Sequence, residues 1–330
     1  MTISVAMCTF NGARFIEEQL ESLVRQELRP DELVVCDDGS DDNTVQLIRK
    51  RSSDVPFSVK IQENPSRLGV FRNFEQAVSL CQGEIIAPCD QDDVWRSDKL
   101  MMMAQALTEN PAAGMVFSDA EVVDDQLKPM NMSLWDCVGF STELQEQFRQ
   151  GDAFRHLVNR NYINGCAMAF RSCLRDLFLP FPDQFEFLHL HDGLIILFVS
   201  AVAPIIPLNQ KLISYRQHPG QQIGAFVRIS DLQTPALLAP IERFSAQMSY
   251  MGYIDYLRVV EHRLVEASDR YNCARALEDV RQRISHFHAR ETMPPERMKR
   301  LPVIVKELVS GRYTTFSNGI LSAIKDACRN

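Results

Sequence analysis

Ile85-Ile86-Ala87-Pro88-Cys89-Asp90-Gln91-Asp92-Asp93-Val94-Trp95 is an apolar run that turns acidic within one residue. A short apolar run bounded by a polar cluster reads as a buried strand. In an extended chain, residues i and i+2 point the same way, so Asp90 and Asp92 aim at one point beyond the strand end. Two carboxylates converging there repel each other unless a cation sits between them. Hard oxygen donors suit Mg2+ or Mn2+, and an ion held by one or two carboxylates keeps positions open for phosphate oxygens. The competing reading is a solvated acidic turn, or Asp93 and Ser97 capping a helix that starts near Trp95.

The flanking sequence decides between them, because it repeats one pattern. Ile3 to Cys8 reads as a strand, broken by Asn11-Gly12, and Ile16, Leu20, Leu23 and Val24 then mark a helical face. Glu32 to Cys36 is a second strand, closed by Asp37-Asp38-Gly39-Ser40-Asp41-Asp42. Thr44 to Arg51 is helical, Phe57 to Ile61 a third strand, and Phe71, Phe74, Ala77, Val78 and Cys81 another helical face. Glu84 to Cys89 is the fourth strand and Gly114 to Phe117 the fifth, with Phe117-Ser118-Asp119 as its end. Such alternation predicts an α/β fold, a mostly parallel central sheet flanked by helices. Ligands of such sheets bind beyond the carboxyl ends of the strands. The polar breaks after strands one, two and four are therefore the candidate site.

After strand two, Asp41, Asp42 or Asn43 serves as a helix cap, which leaves Asp37 and Asp38 for a ligand's ribose hydroxyls or base N–H. After strand one, Cys8-Thr9-Phe10-Asn11-Gly12-Ala13-Arg14 contains neither G-x-G-x-x-G nor a P-loop, so a nucleotide here is held by backbone groups and acids. Further on, Asn164-Gly165 reads as a turn, and His191-Asp192-Gly193 precedes the uncharged run Gly193 to Leu208. Asp192 also suits a helix cap. Leu212 to Tyr215 is a strand leading into Arg216-Gln217-His218-Pro219-Gly220. Beyond about residue 230 the chain reads as helical, with Leu277, Val280 and Ile284 on one face and His286 and His288 as ordinary helix-face residues. The expected domains are 1–225 and 226–330.

Composition narrows the classes. The chain has 330 residues, 45% hydrophobic and 24% charged, enough to bury a core without staples. A net charge of −8 excludes a general nucleic-acid binder, which needs a basic excess to neutralise phosphates. Nine cysteines, an odd number with no C-x-x-C pair, read as reduced buried thiols and not as disulfides or a zinc site. No secretory signal is visible, and the longest uncharged run is too short for a span and holds Pro204 and Pro207. A cytoplasmic protein is expected, with association at the inner face of the membrane left open. Residues 291–330 hold seven Lys and Arg against four Asp and Glu, and Ile320, Leu321, Ile324 and Cys328 form a stripe near Lys325 and Arg329. That segment either lies on an anionic membrane near a lipid-linked acceptor or packs on the rest of the chain or a second subunit.

Thr9-Phe10-Asn11-Gly12, then Val34-Val35-Cys36-Asp37-Asp38-Gly39-Ser40-Asp41-Asp42-Asn43-Thr44, then Gly83 to Trp95 resemble, in order and spacing, glycosyltransferase family 2 with its GT-A fold. Arg67-Leu68-Gly69 and Asn73-Phe74 fit the same pattern, and the resemblance covers about residues 1–220. It is nearest in flavour to rhamnosyltransferase-like enzymes of bacterial surface polysaccharides. The resemblance implies an inverting, metal-dependent transfer from a UDP- or dTDP-linked sugar to a hydroxyl of a glycan or lipid-linked acceptor. Thr9 and Asn11 would line the base pocket, and Asp38 with Asp37 would hold the base N–H or the ribose. Asp90 would meet ribose or metal, Asp92 would ligate Mn2+ or Mg2+, and Asp192 would be the catalytic base. His218 would approach the diphosphate or metal, although Pro219 stands where a glycine is expected. Two rival readings stay open: a sugar-nucleotide nucleotidyltransferase, which should carry a basic glycine-rich first loop that is missing here, and a catalytically silent GT-A scaffold.

Overall fold

The computed structural model describes residues 1–185, 191–221 and 249–329. The chain divides into two compact units, Met1–Leu157 with Asn161–Thr234, and Val158–Arg160 with Pro235–Asn330. The boundary expected at 225/226 lies outside the described residues.

The first unit begins β1 (Ile3–Thr9), α1 (Ile16–Val24), β2 (Glu32–Asp37), α2 (Thr44–Ser52), β3 (Ser58–Glu63), α3 (Val70–Leu80), β4 (Ile85–Cys89). It continues β5 (Val94–Trp95), α4 (Lys99–Glu109), β6 (Met115–Val123), β7 (Pro129–Ser133), α5 (Leu134–Val138), α6 (Thr142–Arg149), α7 (Ala153–Leu157), β8 (Met168–Arg171), α8 (His191–Val202) and β9 (Ile205–Arg216). One sheet has the order β3-β2-β1-β4-β8-β6-β9-β5, with β7 added beside β6. Six strands share one direction, and β5, β7 and β8 run against it. The sheet is therefore mostly parallel, as the alternation predicts. β1, β2 and β4 lie side by side, with Thr9 level with Asp37 and Met7 level with Cys89, so their three polar sequels emerge at one edge.

Burial explains the strand sequences. Every residue of β1 and β4 is buried, the signature of strands covered on both faces. α1 and α3 present Ile16, Leu20, Leu23 and Phe71, Phe74, Val78 to the sheet. Three local expectations are corrected. Val94-Trp95 is strand β5, pairing antiparallel with β9, so the next helix starts at Lys99 and neither Asp93 nor Ser97 caps it. β6 does not end near Asp119 but runs to Val123, because β9 pairs with it along its length. Asp119 is internal and accepts the Trp135 backbone N–H at 2.9 Å. β9 begins at Ile205, seven residues before the expected start, since the last four residues of the uncharged run, 205–208, join the sheet beside β6.

The second unit contains α9 (Tyr250–Ala267), α10 (Ala274–Glu291), α11 (Arg297–Val309), α12 (Arg312–Phe316) and α13 (Ile320–Cys328). His286 is not the ordinary helix-face residue its spacing suggests. It is fully buried and bonded to Glu307 (2.7 Å) and Ser317 (2.9 Å), a pairing of residues remote in sequence. Arg290, Asp326 and Tyr313 extend this network, with Arg290 Nε and Tyr313 Oη each 2.7 Å from Asp326. Among the described residues no helix is long and apolar enough to cross a membrane.

Candidate functional site

The loops after β1, β2 and β4 border a cleft of about 260 Å³, closed on its far side by Asn164, the start of α8 and the end of β9. Thr9, Phe10, Asp38, Asp90, Asp92 and Asp192 all line it, so the structure brings together residues spread over 180 positions of sequence. Asn11, Asp37 and His218 are not in its lining.

Asp37, expected beside a ligand, ties the first two loops together. It is buried, and its carboxylate accepts the Thr9 hydroxyl (2.7 Å), the Ser40 hydroxyl (2.6 Å) and the Ser40 backbone N–H (2.8 Å). The parallel register that sets Thr9 level with Asp37 makes this pairing unavoidable. Asn11 takes left-handed backbone geometry (φ 49°) and stitches the same two loops together. Its backbone N–H donates to the Ser40 hydroxyl, and its side-chain oxygen accepts the Asp41 N–H. Asp38 lines the cleft but is not free either, since it accepts the Leu68 and Gly69 N–H groups (2.6 and 2.9 Å) and the Asn64 amide. Arg67 stacks over the Phe10 ring at 3.9 Å and lies 3.9 Å from Asp38. Asp42, as expected, serves the helix start and accepts the Thr44 N–H at 2.9 Å.

The turn after β4 is dense with charge. Burial, then Asp93, Asp92 and Asp192 in turn, push the Asp90 carboxyl well above the usual range. Burial and Asp92 raise Asp93 to about 7, while burial lowers Lys99, fixed on the Cys166 carbonyl at 2.7 Å, to about 7. Asp93 is absent from the cleft lining. One of its oxygens accepts the Arg216 N–H at 3.0 Å, and the other, Oδ2, has no partner among the described residues. Asp90, Asp93 and the Cys166 thiol offer donor atoms within 4.8 Å of one another. That trio differs from the expected set of Asp92, Asp90 and His218. Burial keeps the Cys166 thiol protonated, so it is a poor ligand, and the hard donors remaining are carboxylates. Separately, His218 Nε2 lies 2.9 Å from Asp92 Oδ2, and the His218 ring packs on Phe15. The crowded, mutually repelling carboxylates of this turn offer the hard oxygen donors that suit a divalent cation.

Asp192 sits in the first turn of α8, not ahead of it, and is buried. Desolvation raises its carboxyl to about 6, opposed by N–H bonds from Gly193 (2.6 Å) and Gly165 (3.1 Å). His191 stacks on Phe74 (centroids 3.5 Å apart), and burial holds it neutral, its pKa lowered to about 3. Gly165 is more than a turn residue, because a Cβ there would lie 2.7 Å from His191 Nε2 and 3.2 Å from the Asp192 Cβ.

Two further residues were not legible as site residues. Gln91, between the two acids, pairs its amide with the Phe10 backbone in both directions (2.9 and 3.0 Å), locking the acidic turn to the first loop. Arg216 is buried. Its Nε donates to the Asp92 carbonyl and its Nη1 to the Asp125 carbonyl, both at 2.7 Å, and it pairs with Glu18. Arg216 thus fixes the backbone of the acidic turn while leading the chain to His218. The only sequence signal was its place in Tyr215-Arg216-Gln217-His218.

Residues 4–178 match the profile described as glycosyl transferase family 2. An uncharacterised glycosyltransferase of Nostoc sp. is 24% identical over 273 residues, covering 80% of this chain and 81% of that protein. A dTDP-rhamnosyl transferase of Shigella flexneri, RfbG, is 32% identical over 110 residues, which cover 32% of this chain and 38% of that protein. Among solved structures, Staphylococcus aureus TarS 1–349 with UDP-GlcNAc has a TM-score of 0.55 at 17% identity, covering 99% of this chain and 82% of that one. A mannosyltransferase from Pyrobaculum calidifontis with GDP-Man and Mn2+ has a TM-score of 0.50 at 18% identity, covering 94% and 74%. These likenesses agree with the GT-A arrangement of the sheet. With more than half its length matched, the chain belongs to glycosyltransferase family 2.

Proposed function

We propose that the protein carries out a divalent-metal-dependent, inverting transfer of a sugar from a nucleoside-diphosphate donor, UDP- or dTDP-linked, to a hydroxyl of a glycan or lipid-linked acceptor in bacterial surface polysaccharide synthesis. Residues 1–225 form the catalytic region in this reading, and 226–330 a mainly helical extension. The observation that carries it is the convergence of Asp90 and Asp92 from the β4 turn and Asp192 from α8 on one cleft, beside Phe10 and Asp38. Free thiols, mostly buried, support a cytoplasmic setting. The donor class is supported by the Shigella relative's name, although the chain spans under half of that protein.

Asp38 and Thr9 would receive the base and ribose, with the Arg67–Phe10 stack as a flat wall. Asp90 and Asp92 would hold Mn2+ or Mg2+, with His218 close enough to Asp92 to join them. The ion would neutralise charge on the diphosphate leaving group. Asp192, poised with a pKa of about 6, is ionised at neutral pH yet basic enough to take the acceptor proton as the hydroxyl attacks. A single displacement needs one base and no covalent nucleophile, and so inverts the anomeric centre. The test is a panel of nucleoside-diphosphate sugars scored for Mn2+-dependent donor hydrolysis, with wild type against Asp92→Ala. Metal-dependent hydrolysis should disappear in the variant; undiminished hydrolysis would refute the assignment.

A further inference from the structure

Helix α11 is built inside out. Its buried face carries Arg300, Ile304 and Glu307, whereas Met298 (77% exposed), Leu301, Val305 (54%) and Val309 (84%) recur at i, i+3, i+7 and i+11 towards solvent. Arg300 is spent on the carbonyls of Pro294 and Pro295 (2.6 Å each), and Glu307 on His286 and Arg312. The neighbouring α13 repeats the arrangement, with Ala323 and Asp326 inside and Ile320, Leu321 and Ile324 each more than half exposed. Large apolar side chains gathered on the solvent side of two packed helices mark a contact surface.

Charge selects the partner. Both acids of these two helices, Glu307 and Asp326, are buried and internally paired. What α11 and α13 and their flanks show to solvent is Arg297, Lys299, Lys306, Lys325 and Arg329, with Glu296 as the exposed acid among residues 296–329. Beside α11 a groove of about 590 Å³ is lined by Ile284, Val303, Lys306 and Glu307, with Arg312 bonded to Glu307 and Arg281 to Glu261. A two-fold pairing of two copies through this face would set like charges against each other, because such an interface presents the same patch from both sides. A bilayer surface supplies what the face lacks: acyl chains for the apolar arc and phosphate headgroups for the exposed lysines and arginines around it.

We infer that the outward faces of α11 and α13 form a docking surface for an anionic lipid bilayer. The inference does not depend on the glycosyl-transfer reading, and its test involves no catalysis. The full chain is co-sedimented with vesicles of phosphatidylcholine alone and of equimolar phosphatidylcholine and phosphatidylglycerol. It should pellet with the anionic vesicles and stay in solution with the neutral ones, with binding weakened by salt. Val305→Glu with Val309→Glu should abolish pelleting. Lys306→Glu with Lys325→Glu should weaken it at least about tenfold. All four positions are exposed, so melting curves should match wild type. Absence of pelleting with anionic vesicles, or equal pelleting of wild type and both variants, overturns the proposal. So does a concentration-dependent dimer, without vesicle binding, that Val309→Glu dissociates; that result would identify a second copy as the partner.

Discussion

Replacing Asp192 by Asn should remove transferase activity and make the apo protein more stable. The carboxyl rises from an ordinary 3.8 to about 6 because it is desolvated at the cleft floor. Between these values the folded state keeps a proton that the unfolded chain has already released. Stability therefore falls as pH rises through this window, and above pH 6 the full penalty is in place, about 3 kcal/mol at 1.36 kcal/mol per unit. Asn keeps the shape without the charge. Its single oxygen can accept from only one of the Gly165 and Gly193 N–H groups, which costs about 1 kcal/mol. The net gain at neutral pH is about 2 kcal/mol, or roughly 4–8 °C in Tm for a unit of this size. The assay is thermal unfolding with chelator across pH 3 to 8, read as variant minus wild type, alongside product formation. The difference should be largest at neutral pH and vanish or reverse below pH 4. A variant no more stable than wild type at neutral pH, or a gain that persists in acid, would refute a buried, ionised Asp192.

Three other outcomes follow from the same geometry. The pH profile of kcat/KM should rise to a plateau with an apparent pKa of about 6, because the base of the free enzyme must be unprotonated, and a profile without that limb would refute Asp192 as the base. Gly165→Ala should cost about 1–3 kcal/mol of stability by overpacking and lower kcat at least tenfold, since the new Cβ displaces His191 and Asp192; wild-type kinetics would refute the close approach. Arg216→Lys keeps the charge but loses the fork that holds the Asp92 and Asp125 carbonyls, and should weaken Mn2+-dependent donor binding at least tenfold with a stability loss of roughly 3 kcal/mol. Calorimetric titration of donor with Mn2+ checks it, and unchanged affinity would show that the acidic turn holds its shape unaided.

The sheet was legible because each buried strand of the first half writes its own signal locally: an apolar run, a polar break, a helical face. The edge that gathers Thr9, Asp38 and Asp90 follows from that rhythm and from the rule that ligands sit beyond strand ends. What stayed hidden depends on partners far away in sequence. Asp37 and Asp38 look alike as neighbouring acids, and only the register of β1 against β2 turns the first into a clamp. β5 has two residues and owes its existence to β9, more than a hundred positions later. Arg216 and His286 resemble surface residues by spacing, because nothing local announces the carbonyls and carboxylates that bury them.

The stitched loops have a consequence for recognition. The Gln91 amide holds Phe10 from one side, while Asp37, through Ser40 and Thr9, ties the second loop to the first strand. The loops that would receive a nucleotide are thus tied together before any ligand arrives. A donor meeting such loops forgoes little of its binding free energy to induced order. Loosening Gln91 should then appear as faster donor dissociation.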